Sequence, residues 1–545
     1  MSSPQPPDRS PLLRMLLAAA IMLAFSYLAA RTILVAGSQY RSHEKALALL
    51  LLGAECFIVV HGALCEHHAQ YLRDVGDAVD RPEQRRGLPP DPPSVAVVVA
   101  SYREPLEVLE ATLTSFYNLT YPNKRLYLLD DTRYDMPGAD REKDAEYRKA
   151  VEDLCRRFQA DLFRHKWHGA KAGILNDFLA FRAGERREGF LFLPLSGRPD
   201  AEAETYITVF DADQNPFPDF LDDLVAMCEA DPRMAFVQTP QFYTNTESNR
   251  VARAAGLQQT VFYEYICEGK GLRNAMMCCG TNVLFRRAAL MDVGGFDEDS
   301  VTEDFATSLK FHMRGWRSAY YGRPCAFGMG PEDLGGYFKQ QFRWALGTVG
   351  QLRRIVPAML RQPRALAAGA WWEYLTAASY YLVGLVFLVV ALCPPLYILA
   401  RVPTFFLRPE IYAAFFAPYF ALSLFIFLWT LTQRNYSARD LFMGQVLITA
   451  SFPVYAKAAI MGLAGIKGRF VVTPKTAGAG LPLRALWPQI AMVLVNAVAI
   501  VWGVNRLYYE REMAAAVGVN MFWCAYHAAI VSSVFCFNRP AKSAS

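Results

Sequence analysis

The sequence predicts an α/β domain embedded between transmembrane α-helices, about six of them, with interfacial helices alongside. Three observations carry that reading. Of the 545 residues 53% are hydrophobic and only 20% charged, and the mean hydropathy of +0.12 lies above the usual soluble range. Long apolar runs occupy both ends of the chain, and charge collects between them. In that middle stretch short β-branched runs alternate with amphipathic helical patterns, as in a sheet covered by helices. At this length one domain alone is not expected.

Residues 1–80 read as a membrane hairpin. The run 15–30 is free of charge and bracketed by Arg14 and Arg31, whose long side chains can reach the interfaces. A cleaved signal peptide is the rival reading. A second apolar run at 46–64 favours two helices instead, although Glu55 and His61 interrupt it. Residues 81–94 combine charge with five prolines and read as a linker. Residues 95–345 form the α/β domain, 346–373 interfacial helices, and 374–545 a C-terminal membrane region.

Within that last region the runs 374–400, 411–431, 485–504 and 514–537 are candidate spans. The run 441–460 is interrupted by Pro453 and Lys457 and flanked by Arg434, Arg439, Lys467 and Arg469, so it reads as a helix lying along the membrane face. Two crossings before the domain and four after it leave both termini cytosolic. No long tail follows Asn538, so a soluble C-terminal regulatory domain is not expected. The net charge of +5 is mild and no Lys/Arg tract appears, which argues against a nucleic-acid partner and leaves membrane lipids as the one implied by composition. The 11 cysteines are scattered, only Cys278 and Cys279 are adjacent, and neither a zinc site nor a disulfide framework is expected.

In an open parallel sheet, ligands bind beyond the carboxyl ends of the strands. The predicted strand 95–100 runs into Tyr102-Arg103-Glu104, 126–129 into Asp130-Asp131, 206–210 into Asp211-Ala212-Asp213, and 235–237 into Gln238-Thr239. Carboxylates gathered in one crevice repel unless a cation sits between them, and hard oxygens suit Mg2+ or Mn2+, with a diphosphate completing the shell. The alternative is that Asp211 and Asp213 only begin a loop and cap a helix. Lys171, set among glycines at a helix start, suits phosphate, or is a plain exposed lysine. Glu303 and Asp304 in Thr302-Glu303-Asp304 face the positive end of a helix over 305–314, or serve as its cap. Arg343 and Trp344 in Gln340-Gln341-Phe342-Arg343-Trp344 are a cation–π pair, or a diphosphate contact beside a sugar platform.

In chain order these pieces resemble the bacterial cellulose synthase catalytic subunit and its processive family-2 membrane glycosyltransferase relatives, which share Asp, DxD, TED and QxxRW elements on a GT-A-type, Rossmann-like fold. The resemblance covers residues 95–475. Phe470-Val471-Val472-Thr473-Pro474-Lys475 resembles their FxVTPK gating loop, and Cys278-Cys279-Gly280-Thr281 their FCGS segment. Departures are Asp130-Asp131-Thr132 for DDG, CCGT for FCGS, and Lys171-Ala172-Gly173-Ile174-Leu175-Asn176 for KAGNLN. No PilZ-type c-di-GMP domain is seen, so regulation by that route is not expected.

The resemblance implies a UDP-sugar-dependent hexosyltransferase: processive, inverting, polymerising UDP-glucose into a β-glucan, foremost β-1,4-glucan, and passing it across the membrane. Alternatives are another β-polysaccharide (mixed-linkage or 1,3-β-glucan, mannan, chitin, hyaluronan) or a nonprocessive lipid-directed transferase. Asp304 would be the general base. Tyr102, Glu104, Asp130, Lys171, Asp211 and Arg343 would bind the nucleotide sugar, and Asp211 and Asp213 the Mg2+ or Mn2+. Trp344, Cys279 and Glu303 would meet the acceptor, and Phe470, Thr473 and Lys475 would gate the site. Partners would be UDP-glucose, the growing polysaccharide, membrane lipids and a periplasmic or cell-envelope accessory subunit. The location implied is the inner cell membrane, multi-pass, with the catalytic domain cytosolic.

Overall fold

The computed structural model describes residues 10–69, 88–134, 141–199, 202–247, 249–403, 409–432, 436–466, 480–510 and 514–539. The expected gating residues Phe470, Thr473 and Lys475 lie outside this set.

The centre of the domain is the strand β1 (Val95–Ser101), whose residues Val95 to Val99 are all buried. A strand apolar on both faces must be covered on both, which places it mid-sheet. It pairs in parallel with β2 (Lys124–Asp130) on one side and β5 (Tyr206–Asp211) on the other. With β3 (Ala160–Arg164), β4 (Leu191–Leu193), β7 (Met234–Gln238), β9 (Val283–Arg286) and β10 (Arg317–Tyr320) they form an eight-stranded sheet of order β10-β7-β9-β5-β1-β2-β3-β4. The edge strand β4 and the inserted β9 run antiparallel to their neighbours. A three-stranded sheet is built from β6 (Asn215–Pro216), β11 (Ala326–Gly328) and β8 (Phe242–Tyr243).

The two-residue side-chain period divides the buried residues into two cores. Val95, Val97, Val99 and Leu128 face one, with Leu109 and Phe220 from helices beneath. Ala96, Val98, Tyr127 and Leu129 face the other, with Ile174 and Phe178. The register pairs Ser101 with Asp130 and Ala100 with Asp211, so the carboxyl ends of β1, β2 and β5 finish level and their loops open on the same edge.

The chain is a multi-pass membrane protein. Among the described residues six helices are long and apolar enough to cross a bilayer: Pro11–Ala36, Ser42–Gly62, Ala368–Ala400, Ala413–Thr430, Leu483–Tyr509 and Ala514–Phe537. The run 441–460 instead forms two helices, Ala438–Ala450 and Phe452–Leu463, bent by 53°. Pro453 supplies the break, because without an N–H it suits the first turn of a new helix and not the interior of a continuous one.

A buried ion pair ties the domain to the membrane helices. Lys270 Nζ lies 2.8 Å from Glu373 Oε2 and 3.1 Å from the Glu373 carbonyl oxygen, with Arg273 Nη1 3.4 Å from Oε1. Lys270 is 1% and Glu373 0% exposed, so neither charge has water in place of the other. Glu373→Ala strips Lys270 of its carboxylate and should cost roughly 3–5 kcal/mol. The double variant Lys270→Met/Glu373→Leu should recover most of that loss. The melting temperature of the detergent-solubilised full chain reads both.

Candidate functional site

The site is assembled around Lys171, on the first turn of the helix Ala170–Arg182. Its Nζ lies 2.5 Å from Asp211 Oδ1, at the end of β5, and 2.7 Å from the Gly280 carbonyl oxygen. Burial opposes the ammonium, but the carboxylates of Asp211 and Glu303 outweigh it and hold the Lys171 pKa above its ordinary value. The loop before the helix folds tightly against it: a Cβ on Gly173 would stand 1.9 Å from the His168 carbonyl oxygen. Only glycine admits that approach.

Glu303 and Asp304 open the helix Glu303–Met313. Asp304 Oδ1 accepts the Phe305 backbone N–H at 2.8 Å. Ser308 Oγ donates to the Asp304 carbonyl and accepts the Cys278 N–H, both at 2.8 Å, which fastens this helix to the Cys278-Cys279-Gly280-Thr281 loop. Gly280, at φ +79°, lies so close that a Cβ there would stand 3.0 Å from Asp304 Oδ2. Thr281 Oγ1 accepts the Asp211 N–H at 3.0 Å, and Gln238 Oε1 the Cys279 N–H at 2.8 Å. The loop therefore spans from β5 to the acidic helix.

Burial, and then the neighbouring Glu303, push the Asp304 carboxyl up to about 7, against the pull of Lys171 and Arg343. Burial raises Glu303 as well. The pair holds a proton near neutrality, as two carboxyls sharing one buried site must. Thr302, at the N-cap, makes no side-chain capping bond, so the Thr302-Glu303-Asp304 segment is not a simple helix cap.

Asp213 sits half-buried two residues beyond Asp211, where its charge helps burial keep the Tyr243 phenol protonated. The intervening Ala212 carbonyl accepts the Thr112 hydroxyl at 2.7 Å, which fixes the turn between the two carboxylates.

Arg343 and Trp344 lie on the helix Leu334–Gly350. Trp344, Cys279 and Asp304 line one cavity of about 820 Å3, which continues among Tyr27, Trp523 and His527 of the membrane-length helices. Trp344 thus faces this passage rather than serving only as an interface anchor. The half-buried Cys279 thiol, beside Cys267, is held well above the ordinary thiol range and stays neutral.

Tyr102, Glu104 and Asp130 gather at the ends of β1 and β2. Asp130 is 2% exposed and enclosed by its own chain: Arg164 Nε at 2.8 Å, the Tyr134 hydroxyl at 2.7 Å and the Thr132 N–H at 3.1 Å reach its carboxylate. The Arg133 guanidinium lies 5.2 Å over the Tyr102 ring and 3.7 Å over that of Trp167, and its Nε is buried without a hydrogen-bond partner. The Glu104 carbonyl accepts the Tyr147 hydroxyl at 2.8 Å.

Residues 206–432 match the family model described as glycosyl transferase family group 2. Over 531 residues the chain is 28% identical to cellulose synthase 2 of Novacetimonas hansenii, covering 92% of this chain and 29% of that one. Over most of its length the chain is similar to cellulose synthases. Another relative, the UDP-forming cellulose synthase catalytic subunit of Pseudomonas fluorescens (strain SBW25), is 27% identical over 463 residues, 82% of this chain and 56% of that one. The chain thus spans less than a third of the first of these cellulose synthases and just over half of the second. A mannosyltransferase from Pyrobaculum calidifontis, solved with GDP-Man and Mn2+, superposes with a TM-score of 0.47 at 18% identity, over 77% of this chain and 100% of that one.

The family match contains Asp211, Asp213, Cys279, Glu303, Asp304, Arg343 and Trp344, and leaves Lys171 and the Tyr102 group outside. The matched stretch includes the strands β5 to β11 of the mixed α/β domain. Sequence reasoning named Gln238, Gly280 and Thr281 only as members of their segments and gave them no separate role, because each works by meeting a group distant in the chain: Gly280 through its carbonyl to Lys171, and Thr281 and Gln238 through side-chain oxygens that accept backbone N–H groups. It missed Arg133 and Trp167 because their stacking joins residues 34 apart.

Gly173→Ala forces the His168 carbonyl aside and should lower stability by about 1–3 kcal/mol. Ala172→Ser, one residue earlier and without that clash, should cost less. Thermal melting of both purified variants makes the comparison.

Proposed function

We propose that this chain is a processive, inverting glycosyltransferase that polymerises UDP-glucose into a β-glucan, foremost β-1,4-glucan, and passes the product across the inner membrane from a cytosolic active site. The observation that carries this reading is the single cavity joining Asp304, Cys279 and Trp344 to the membrane-length helices, with Lys171 and Asp211 beside its inner end. The names of the cellulose synthase relatives support the donor and product.

Asp304 acts as general base. As the acceptor hydroxyl attacks the anomeric carbon from the face opposite the diphosphate, the new C–O bond forms, the bond from that carbon to the diphosphate oxygen breaks, and UDP leaves with its electron pair. The hydroxyl proton passes to Asp304, and the α-linkage of the donor becomes β in one displacement. A carboxylate with a pKa of about 7 is well matched to share that proton near neutral pH. Glu303 keeps Asp304 basic through its adjacent charge.

Lys171 and Arg343 stabilise charge on the departing diphosphate, where fixed cations contribute most. The Tyr102 and Arg133 edge holds the uracil end, with the unpaired Arg133 Nε as a donor for it, while Glu104 and Asp130 shape that edge. Trp344 stacks on the acceptor sugar, a contact tolerant of the sliding that processive extension requires. Phe470, Thr473 and Lys475 are assigned to gating by the resemblance of their segment to a gating loop.

Asp211, with half its side chain accessible, and Asp213 offer hard oxygens on either side of one fixed turn, a donor set that fits Mg2+ or Mn2+. Such an ion would supply charge stabilisation to the leaving diphosphate.

Purified chain supplied with UDP-glucose and Mg2+ or Mn2+ should release UDP and form polymer that a β-1,4-specific glucanase digests. Resistance to that enzyme with digestion by another glucanase would change the linkage, and a single-sugar lipid product would refute processivity. Asp304→Asn should retain UDP-glucose binding within a few-fold and lose synthesis by at least roughly two powers of ten. The rate should fall as pH drops through about 7, because Asp304 becomes protonated there. Lys171→Met removes a cation that favours the ionised form, so it should move this limb to higher pH in what activity remains.

A further inference from the structure

His165 and His168 were not singled out by the sequence, yet four ionisable side chains gather around them. His165 Nδ1 and His168 Nε2 both lie 2.8 Å from the same oxygen, Asp177 Oδ2. Each ring turns its other nitrogen to a separate carboxylate: His165 Nε2 is 3.0 Å from Asp131 Oδ1, and His168 Nδ1 is 3.0 Å from Glu298 Oε2. Arg187 Nη1 holds the second oxygen of Asp177 at 3.2 Å. Five stretches of chain supply these groups: the β2 loop, the segment 165–168, the helix Ala170–Arg182, the segment after it that carries Arg187, and the loop before Glu303.

This is the arrangement of a metal site with its supporting shell. Ligating histidines present one nitrogen to the ion and almost always give the other N–H to a carboxylate, which fixes the tautomer and raises basicity. Here both histidines are supported in that way. The three inward atoms all lie within 4.8 Å of one another. Around a tetrahedral zinc such atoms stand roughly 3.3–3.6 Å apart, so the two 2.8 Å contacts need only open by less than about 1 Å. His165 and Asp177 have side chains 1% and 6% exposed, while His168 is 45% exposed, which leaves the fourth position facing water.

We propose that His165, His168 and Asp177 bind a single borderline transition-metal ion, with zinc the best fit to two imidazoles and one carboxylate, at a site distinct from Asp211 and Asp213. The ion is a positioning device. It pins the segment immediately before Lys171 to Asp131 and Glu298, and so fixes where that ammonium lies. This role in positioning rests on the transferase reading, but the binding itself does not.

The test uses full-length chain purified in detergent through a tag free of histidine. Elemental analysis should find about one zinc per chain, and cobalt added to chelator-treated protein should give the intense visible absorption of a tetrahedral site. Exposed His168→Gln, chosen because it should fold, should lose the zinc and bleach the cobalt spectrum, as should Asp177→Asn. Asp211→Asn should keep both signals. Absence of stoichiometric zinc together with a featureless cobalt spectrum in the unmodified chain would overturn the proposal. So would His168→Gln that binds zinc undiminished, and so would equal loss in Asp211→Asn. Because these readouts need no donor sugar, failure of the polymerase reading leaves them interpretable.

Discussion

The neutralisation of acid in a confined space is the constraint on which the rest of the site depends. Three carboxyl groups, Asp211, Glu303 and Asp304, approach one another from two distant stretches of chain. Lys171 is the cation between them, bound directly to Asp211 and to the Gly280 carbonyl. Without it, burial would force protons onto the acids and the crevice would lose the charge its chemistry needs. Its hold is nevertheless incomplete, since Asp304 stays near 7 and so can both accept and surrender a proton.

That balance requires backbone accuracy, and the sheet supplies it. Parallel pairing in fixed register brings the ends of β1, β2 and β5 to one edge. The Cys278-Cys279-Gly280-Thr281 loop then crosses from Asp211 to Asp304, held by Thr281, Gln238 and Ser308. Gly173 and Gly280 mark the two places where a side chain would not fit. The domain is in turn fixed to the membrane helices through Lys270 and Glu373, so the acids and the cavity keep a constant relation. A reactive site gains from that rigidity, because reacting groups displaced by an ångström lose much of their effect.

Much of this was legible in the sequence. Apolar length marked the membrane helices, since a bilayer sets a minimum run. The four strands read from β-branched runs are all present, and the acids named at their ends do sit there. The strands β3 and β10 were not read, because Asp161 and Arg164 in the first and Arg317 and Ser318 in the second break the apolar run that marks a strand. Asp130 was named for its place beside the nucleotide edge, but its enclosure by Arg164 and Tyr134 comes from residues that sequence spacing does not connect to it.

By itself the sequence determined the layered architecture, the membrane character and which acidic residues stand at the strand ends, because hydrophobic period and residue type are local properties. Only the tertiary structure decided which acid carries a raised pKa, which cation neutralises which carboxylate, and that His165, His168 and Asp177 share one point. Those depend on distances of a few ångströms between residues tens to a hundred positions apart, and electrostatic energy varies with distance and burial rather than with order along the chain.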